Sequence, residues 1–225
     1  MKPEPVHRLF RGLMNFDQEF RPSLKPLMKQ LAHGQDPELL LFACSDSRVV
    51  PHLITSAEPG DVFVVRSVGN LIAPADTSGH SIGDVSEASA IEYALEVLGI
   101  RDIAVCGHSN CGAMSALIKG RQALTQTAPN LVRWLAHGEA SKARAATMKF
   151  AEGLNEVDQL GQANVLQQLE HVASFEPVRK RLRQGEVRLH GLWFDIEHAM
   201  LHLYEAEAGR FVPLTEAEID RLLQS

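Results

Sequence analysis

The chain is short of cysteine, of positive charge and of long apolar runs, and each shortage removes a class of function. Three cysteines, Cys44, Cys106 and Cys111, stand in 225 residues. An odd and sparse set does not make a disulfide framework, and the opening stretch MKPEPVHRLFRGL lacks the apolar core of a secretory signal. The thiols are therefore read as reduced, in a cytoplasmic protein, and open to metal binding or catalysis. Acidic residues outnumber basic ones by 28 to 22, for a net charge of −6. That balance argues against nucleic acid or an anionic membrane as a partner. The basic run at 179–183 reads as the solvated face of a helix. No apolar stretch reaches the ~20 residues that span a bilayer.

What is present is enough for one sizeable core, since 45% of the residues are hydrophobic. Residues 6–32 carry helical spacing, with breaks expected near Pro22 and Pro26. "ELLLFAC", "GDVFVVRSV" and "RDIAVCG" read as strands. Between the second and third, residues 86–98 read as a helix ending at Gly99, and "NCGAMSALIKG" opens another. The chain then turns mainly helical to about residue 185, before "EVRLHGLWFDI" and "AMLHLYEA" alternate like strands. This order predicts an α/β fold, a mostly parallel central sheet flanked by helices, with an N-terminal helical arm and a C-terminal edge strand or hairpin. One domain over 1–225 is expected: an arm at 1–34, a core at 35–130 that carries the chemistry, and a helical and edge-strand portion at 131–225.

In open α/β sheets ligands bind at the carboxyl ends of the strands. Cys44 ends the first strand, and His108 and Cys111 follow the third. If those strands are neighbours, the three side chains reach one point. Two cysteines and a histidine are a three-ligand zinc set with its fourth position open, as in catalytic rather than structural sites. Each residue alone has a plainer reading, as a packed strand cysteine or a turn histidine; Cys106, inside the apolar strand, keeps it. Three rival motifs fail. "GHSNC" has Cys111 where a serine-hydrolase elbow needs its second glycine. Cys44 and Arg48 are too close for a phosphate-cradling loop. His198 and His202 have helical ligand spacing in a segment that alternates like a strand.

With these residues in hand, the chain resembles the β-class carbonic anhydrases. "ACSDSR" and "CGHSNCGAM" are similar to that family's two metal motifs, and the likeness runs from about residue 8 to 214. The resemblance implies one zinc ion per chain on Cys44, His108 and Cys111, with Asp46 and Arg48 as the catalytic dyad. It implies reversible, zinc-dependent hydration of carbon dioxide to bicarbonate, a carbonate dehydratase (lyase) reaction. Gln35 falls at the glutamine of the plant-type subclass. Phe63, Val68 and Tyr93 match residues lining that family's substrate slot, and Gly112 offers a backbone N–H beside the metal. Ser67 departs from the family's usual asparagine, and the stretch 73–89 is longer than expected. A hydrolase of carbonyl sulfide or carbon disulfide would share the metal motifs. A non-catalytic structural zinc protein would leave Asp46, Arg48 and Gln35 without a role.

The family is built on dimers, so a homodimer or a higher even homo-oligomer is expected, helped by the arm at 6–32 and by apolar stripes exposed over 164–184. Some relatives shut the site by letting the aspartate take the fourth position, using a tryptophan ahead of the first motif. Leu41 stands there in this chain, so an open resting site is expected, with Arg48 holding Asp46 aside. Two thiolates donate more charge to a metal than imidazoles do, so its water is less acidic. Stopped-flow hydration rates should therefore rise from neutral toward alkaline pH. A flat or falling profile would contradict the two-thiolate ligand set.

Overall fold

In the computed structural model, which describes residues 5–223, the chain forms two compact units, one ending at Asp36 and one starting at Pro37. The first holds α1 (Pro5–Asn15), a wide π turn over Phe16–Phe20, and α2 (Arg21–Leu31). The breaks expected at Pro22 and Pro26 are absent. Pro22 lies in the first turn of α2, where a missing N–H costs little. Just ahead of it, Arg21 N–H reaches back to Phe16 O, so the helix widens rather than stops. Pro26 gives up one ladder bond and the helix passes through it. Leu9, Phe10, Leu13, Met14 and Phe20 are exposed along this segment.

The second unit runs β1 (Leu39–Cys44), α3 (Pro51–Thr55), β2 (Val62–Ser67), α4 (Ser86–Glu92), β3 (Asp102–His108), α5 (Gly112–Lys119), α6 (Pro129–Leu135), α7 (Ala140–Ala145), α8 (Glu156–Ser174), α9 (Glu176–Gln184), β4 (Arg188–Asp195), β5 (Met200–Glu205), β6 (Arg210–Pro213) and α10 (Glu216–Leu223). The sheet order is β2-β1-β3-β4-β5-β6. Its first four strands are parallel, and β5 and β6 add on antiparallel. The expected C-terminal hairpin is present as β4 and β5, with β4 itself an interior strand because the long helical stretch before it serves as the crossover of a parallel connection. The edge falls to β6, too short to announce itself in the sequence.

β1 and β3 are covered on both faces, which is why they read as continuous apolar runs. Leu40, Phe42, Ile103 and Val105 face one layer with Ile91, Val165, Val172 and Val178. Leu41, Ala43, Ala104 and Cys106 face the other, with Val49 and Phe194. The expected exposed stripe at 164–184 is therefore corrected. Val165, Leu166 and Val172 of α8 and Val178 of α9 are buried in the unit's own core, because the apolar face of α8 packs on β3 and β4.

The helix comes close enough to β3 that Gly107 has no room for a side chain. A Cβ there would lie 2.7 Å from Val165 Cγ2 and 3.4 Å from Gly161 O. Val165 is β-branched and cannot swing away. Gly107→Ala should lower unfolding free energy in guanidinium titrations by about 1–3 kcal/mol; an unchanged midpoint would show that α8 gives way.

Candidate metal centre

β1 and β3 are neighbours, and the chain leaves β1 toward β2 on one side and β3 toward β4 on the other, so these two connections diverge and open a crevice at the carboxyl ends of the strands. Cys44 is the last residue of β1 and His108 the last of β3. A short turn, with Asn110 at φ 53°, carries the chain to Cys111, the N-cap of α5. Asp158 of α8 fixes that turn by accepting Asn110 N–H at 2.6 Å. The ligand atoms of Cys44, His108 and Cys111 all lie within 4.8 Å of one another, and all three residues are buried. Among the described residues this is the one such group of donors.

The polar atoms of the site are arranged for a cation. His108 Nδ1–H donates to Ser109 O at 2.9 Å, which leaves Nε2 carrying a lone pair. Nε2 is buried with no hydrogen-bond partner. Cys44 Sγ accepts N–H bonds from Asp46 at 3.4 Å and Gly69 at 3.3 Å. The Cys111 thiol, with His108 and the Asp46 N–H assisting, pulls the Cys44 thiol down to about 4. Cys111 is pushed up in turn by the Cys44 sulfur and by burial. Two buried sulfurs beside an orphaned imidazole nitrogen are a donor set that a zinc ion fits. Cys106 is different: full burial pushes its thiol up to about 12.

Asp46 faces this cluster without belonging to it. Its Oδ2 is 3.8 Å from His108 Nε2, yet Arg48 Nε and Nη2 donate to Oδ1 and Oδ2 at 2.9 and 2.8 Å. The Arg48 backbone N–H adds a third bond to Oδ1 at 2.9 Å, and Nη2 also donates to Asn110 O at 3.1 Å. The guanidinium holds the Asp46 carboxyl well below the usual carboxylate range.

A cavity of about 290 Å³ opens onto the cluster, lined among others by Asp46, Val68, Gly112, Leu131 and Leu135. Val68 and Gly112 thus line it. Phe63 and Tyr93 do not line it; they pack on one another with ring centroids 5.8 Å apart. Gln35 is exposed, in the N-terminal unit that ends at Asp36. The loop within 73–89 lines a neighbouring cavity of about 760 Å³ with Trp134 and His137, and the two cavities share Val68 and Leu131. His198 and His202 are apart in role: His198 pairs with Asp195 at 2.8 Å, and His202 lies edge-on to Trp193.

Residues outside the metal motifs support the site, and of these Asn164 and Gln168 were invisible to motif reading. Arg66 clamps the loop after β1 by donating to the carbonyls of Cys44, Asp46 and Val49 at 2.9, 2.8 and 2.8 Å. Ser67, at the family's usual asparagine position, donates from Oγ to Leu71 O at 2.7 Å and so closes the turn beside the metal cluster. Asn164 and Gln168 are fully buried on α8; polar residues on the apolar face of a helix were the only signal for them.

Comparison with known proteins agrees with this geometry. A family model described as carbonic anhydrase matches residues 39–201. A carbonic anhydrase of Pseudomonas aeruginosa is 40% identical over 205 residues, covering 91% of this chain and 90% of that protein. The solved β-carbonic anhydrase CcaA superposes with a TM-score of 0.83 at 37% identity, covering 92% of this chain and 98% of that one. Two tetrameric β-carbonic anhydrases are described from Sordaria macrospora, and the matched structure has a TM-score of 0.69 at 26% identity, covering 93% of this chain and 96% of that one. At such identity and coverage, with a donor set of this kind at the sheet's switch point, the chain belongs to the β-class carbonic anhydrases, enzymes of reversible carbon dioxide hydration.

Proposed function

We propose that Cys44, His108 and Cys111 hold one zinc ion per chain and that Asp46 and Arg48 work beside it in carbon dioxide hydration. The observation that carries this reading is the buried triangle of two sulfurs and an unpartnered His108 Nε2. Zinc, when bound, supplies the Lewis acidity that makes water a nucleophile near neutral pH. Asp46 Oδ2, kept ionised by Arg48, accepts a hydrogen bond from the attacking water and fixes its orientation. Val68, Leu131 and Leu135 give the apolar substrate a dry wall. The Gly112 N–H, in the first turn of α5, has no partner within the helix and can donate to the oxygen that gains charge.

Gln35 is assigned as a second donor to that oxygen, in keeping with a plant-type site. Phe63 and Tyr93 stand outside the cavity of their own chain, so we assign them to the slot of a second copy. The working form is then a homodimer or a higher even oligomer, as the tetrameric relatives and the exposed apolar side chains of α1 support. A cytoplasmic setting fits three free thiols. No helix among the described residues is long and apolar enough to cross a membrane. A purely structural zinc would want a fourth protein donor, and Asp46 is committed to Arg48.

Stopped-flow carbon dioxide hydration, with zinc determined on the same sample, tests the proposal. The parent should turn over rapidly with one zinc per chain, and Cys44→Ser should lose both metal and activity. A zinc-free parent that stays active would overturn the ligand assignment. Arg48→Ala frees the Asp46 carboxylate to swing inward; kcat/KM should fall about 100-fold with zinc retained. If kcat/KM stays within a factor of two, Arg48 does not hold the carboxylate in place.

Because the Asp46 pKa is depressed by folding, its pairing stabilises the protein fully above the unfolded carboxylate value of about 3.9. That stability is lost as pH falls further, through the lower folded value. The stability gap between the parent and Asp46→Asn, read by denaturant melts, should be constant from pH 5 to 8 and shrink below about pH 4. A gap that already closes near pH 6 would mean that Arg48 does not set the ionisation of Asp46.

A further inference from the structure

α8 carries two amide side chains, Asn164 and Gln168, that are both fully buried and that no step of the hydration reaction uses. Asn164 Nδ2 donates to Gly69 O at 3.0 Å. Its Oδ1 accepts from Ser141 Oγ and from Gln168 Nε2, each at 3.0 Å. Gln168 Oε1 accepts Ile72 N–H at 2.9 Å, and its Nε2 also reaches His137 O at 3.3 Å. Two side chains one helical turn apart therefore grip both ends of the segment Gly69–Ile72. The near end of that segment faces the metal cluster, because Gly69 N–H donates to Cys44 Sγ at 3.3 Å.

Gly69 sits in a conformation that depends on such a grip. Its φ of 74° and ψ of 18° are left-handed, and a Cβ there would meet Ala113 Cβ at 2.7 Å. With no side chain to anchor it, the Gly69 residue is oriented by its carbonyl bond to Asn164 and by the N–H bond to sulfur. Two buried amides cost stability unless they are hydrogen-bonded, and the bonds that satisfy these two fall on the segment covering Cys44. A hydrogen bond to a thiolate draws charge off the sulfur and sets how strongly it donates to a metal.

From this we infer that Asn164, braced by Gln168, is a positioning residue of the metal centre: it holds Gly69 so that the N–H stays on the Cys44 sulfur. The inference rests on Cys44 being a zinc ligand, and the experiment separates the two. Zinc affinity is measured by chelator competition on the parent, Asn164→Leu and Ser141→Ala, and the thiolate-to-cobalt charge-transfer band is recorded on the cobalt-substituted proteins. Asn164→Leu should bind zinc about tenfold more weakly, and its band should move to lower energy as the sulfur loses its donor. Ser141→Ala removes a bond to Asn164 but keeps the one to Gly69, so it should lower Tm and leave affinity and band where they were. A folded Asn164→Leu with parent affinity and band overturns the inference, as does a Ser141→Ala protein that shifts both equally. If Asn164→Leu does not fold, the parent loaded with cadmium-113 decides. Scalar coupling between the metal and the Gly69 amide proton supports the inference, and its absence overturns it. A parent that takes up no zinc, cobalt or cadmium would instead remove the ligand assignment itself.

Discussion

The parallel pairing of β1 with β3 is the constraint from which the rest of the site follows. Its register sets Ala43 against Cys106, which brings the end of β1 beside the end of β3. Cys44 and His108 are far apart in sequence and meet only because these strands are neighbours. A slip of one residue would turn every side chain of one strand to the opposite face. Both faces of β1 and β3 are apolar, so what resists the slip is fit: it would trade Leu40 and Phe42 on one face for Leu41 and Ala43 from the other. The hydrophobic core thus does positional work for a polar site: the strands are locked by Leu40, Phe42, Ile103 and Val105.

Around that lock, polar groups are placed where each is answered by another. Arg66 satisfies carbonyls that the loop after β1 would otherwise leave unpaired, while Arg48 binds the carboxylate two residues away. α8 acts as a ruler along the back of the site. Asp158 holds the turn between His108 and Cys111, while Asn164 and Gln168 hold the turn that covers Cys44. The exceptions are informative. His108 Nε2 has no answer within the protein, and unpaired buried polar atoms are rare because they are expensive.

Much of this was legible in the sequence, and the reasons are local. Apolar runs of strand length ended at Cys44 and just before His108, and the H-x-x-C spacing needed a single tight turn. Asp46 and Arg48 are near neighbours in the chain, so their pairing could be foreseen. What escaped reading depended on distant partners or on context. Phe63 and Tyr93 matched a family slot, yet pack against one another away from their own cavity. The residues over 164–184 had the spacing of an exposed stripe but face the sheet, because periodicity shows a face without saying what covers it. Pro26 read as a break, although one lost bond does not stop a helix already under way. Asn164 and Gln168 carried no motif; their meaning comes from bonds to residues almost a hundred positions earlier.

The contrast among the three cysteines has a practical consequence. Cys106 lies sealed in the core layer with Leu41, Ala43, Val49 and Phe194, and its thiol resists ionisation at any ordinary pH. Cys44 and Cys111 line an open cavity. An alkylating or disulfide-exchange reagent applied to the folded chain therefore reports on those two sulfurs alone, with the third as a silent internal reference. Loading with metal would be visible as protection of that pair, so the chain carries its own chemical readout of occupancy.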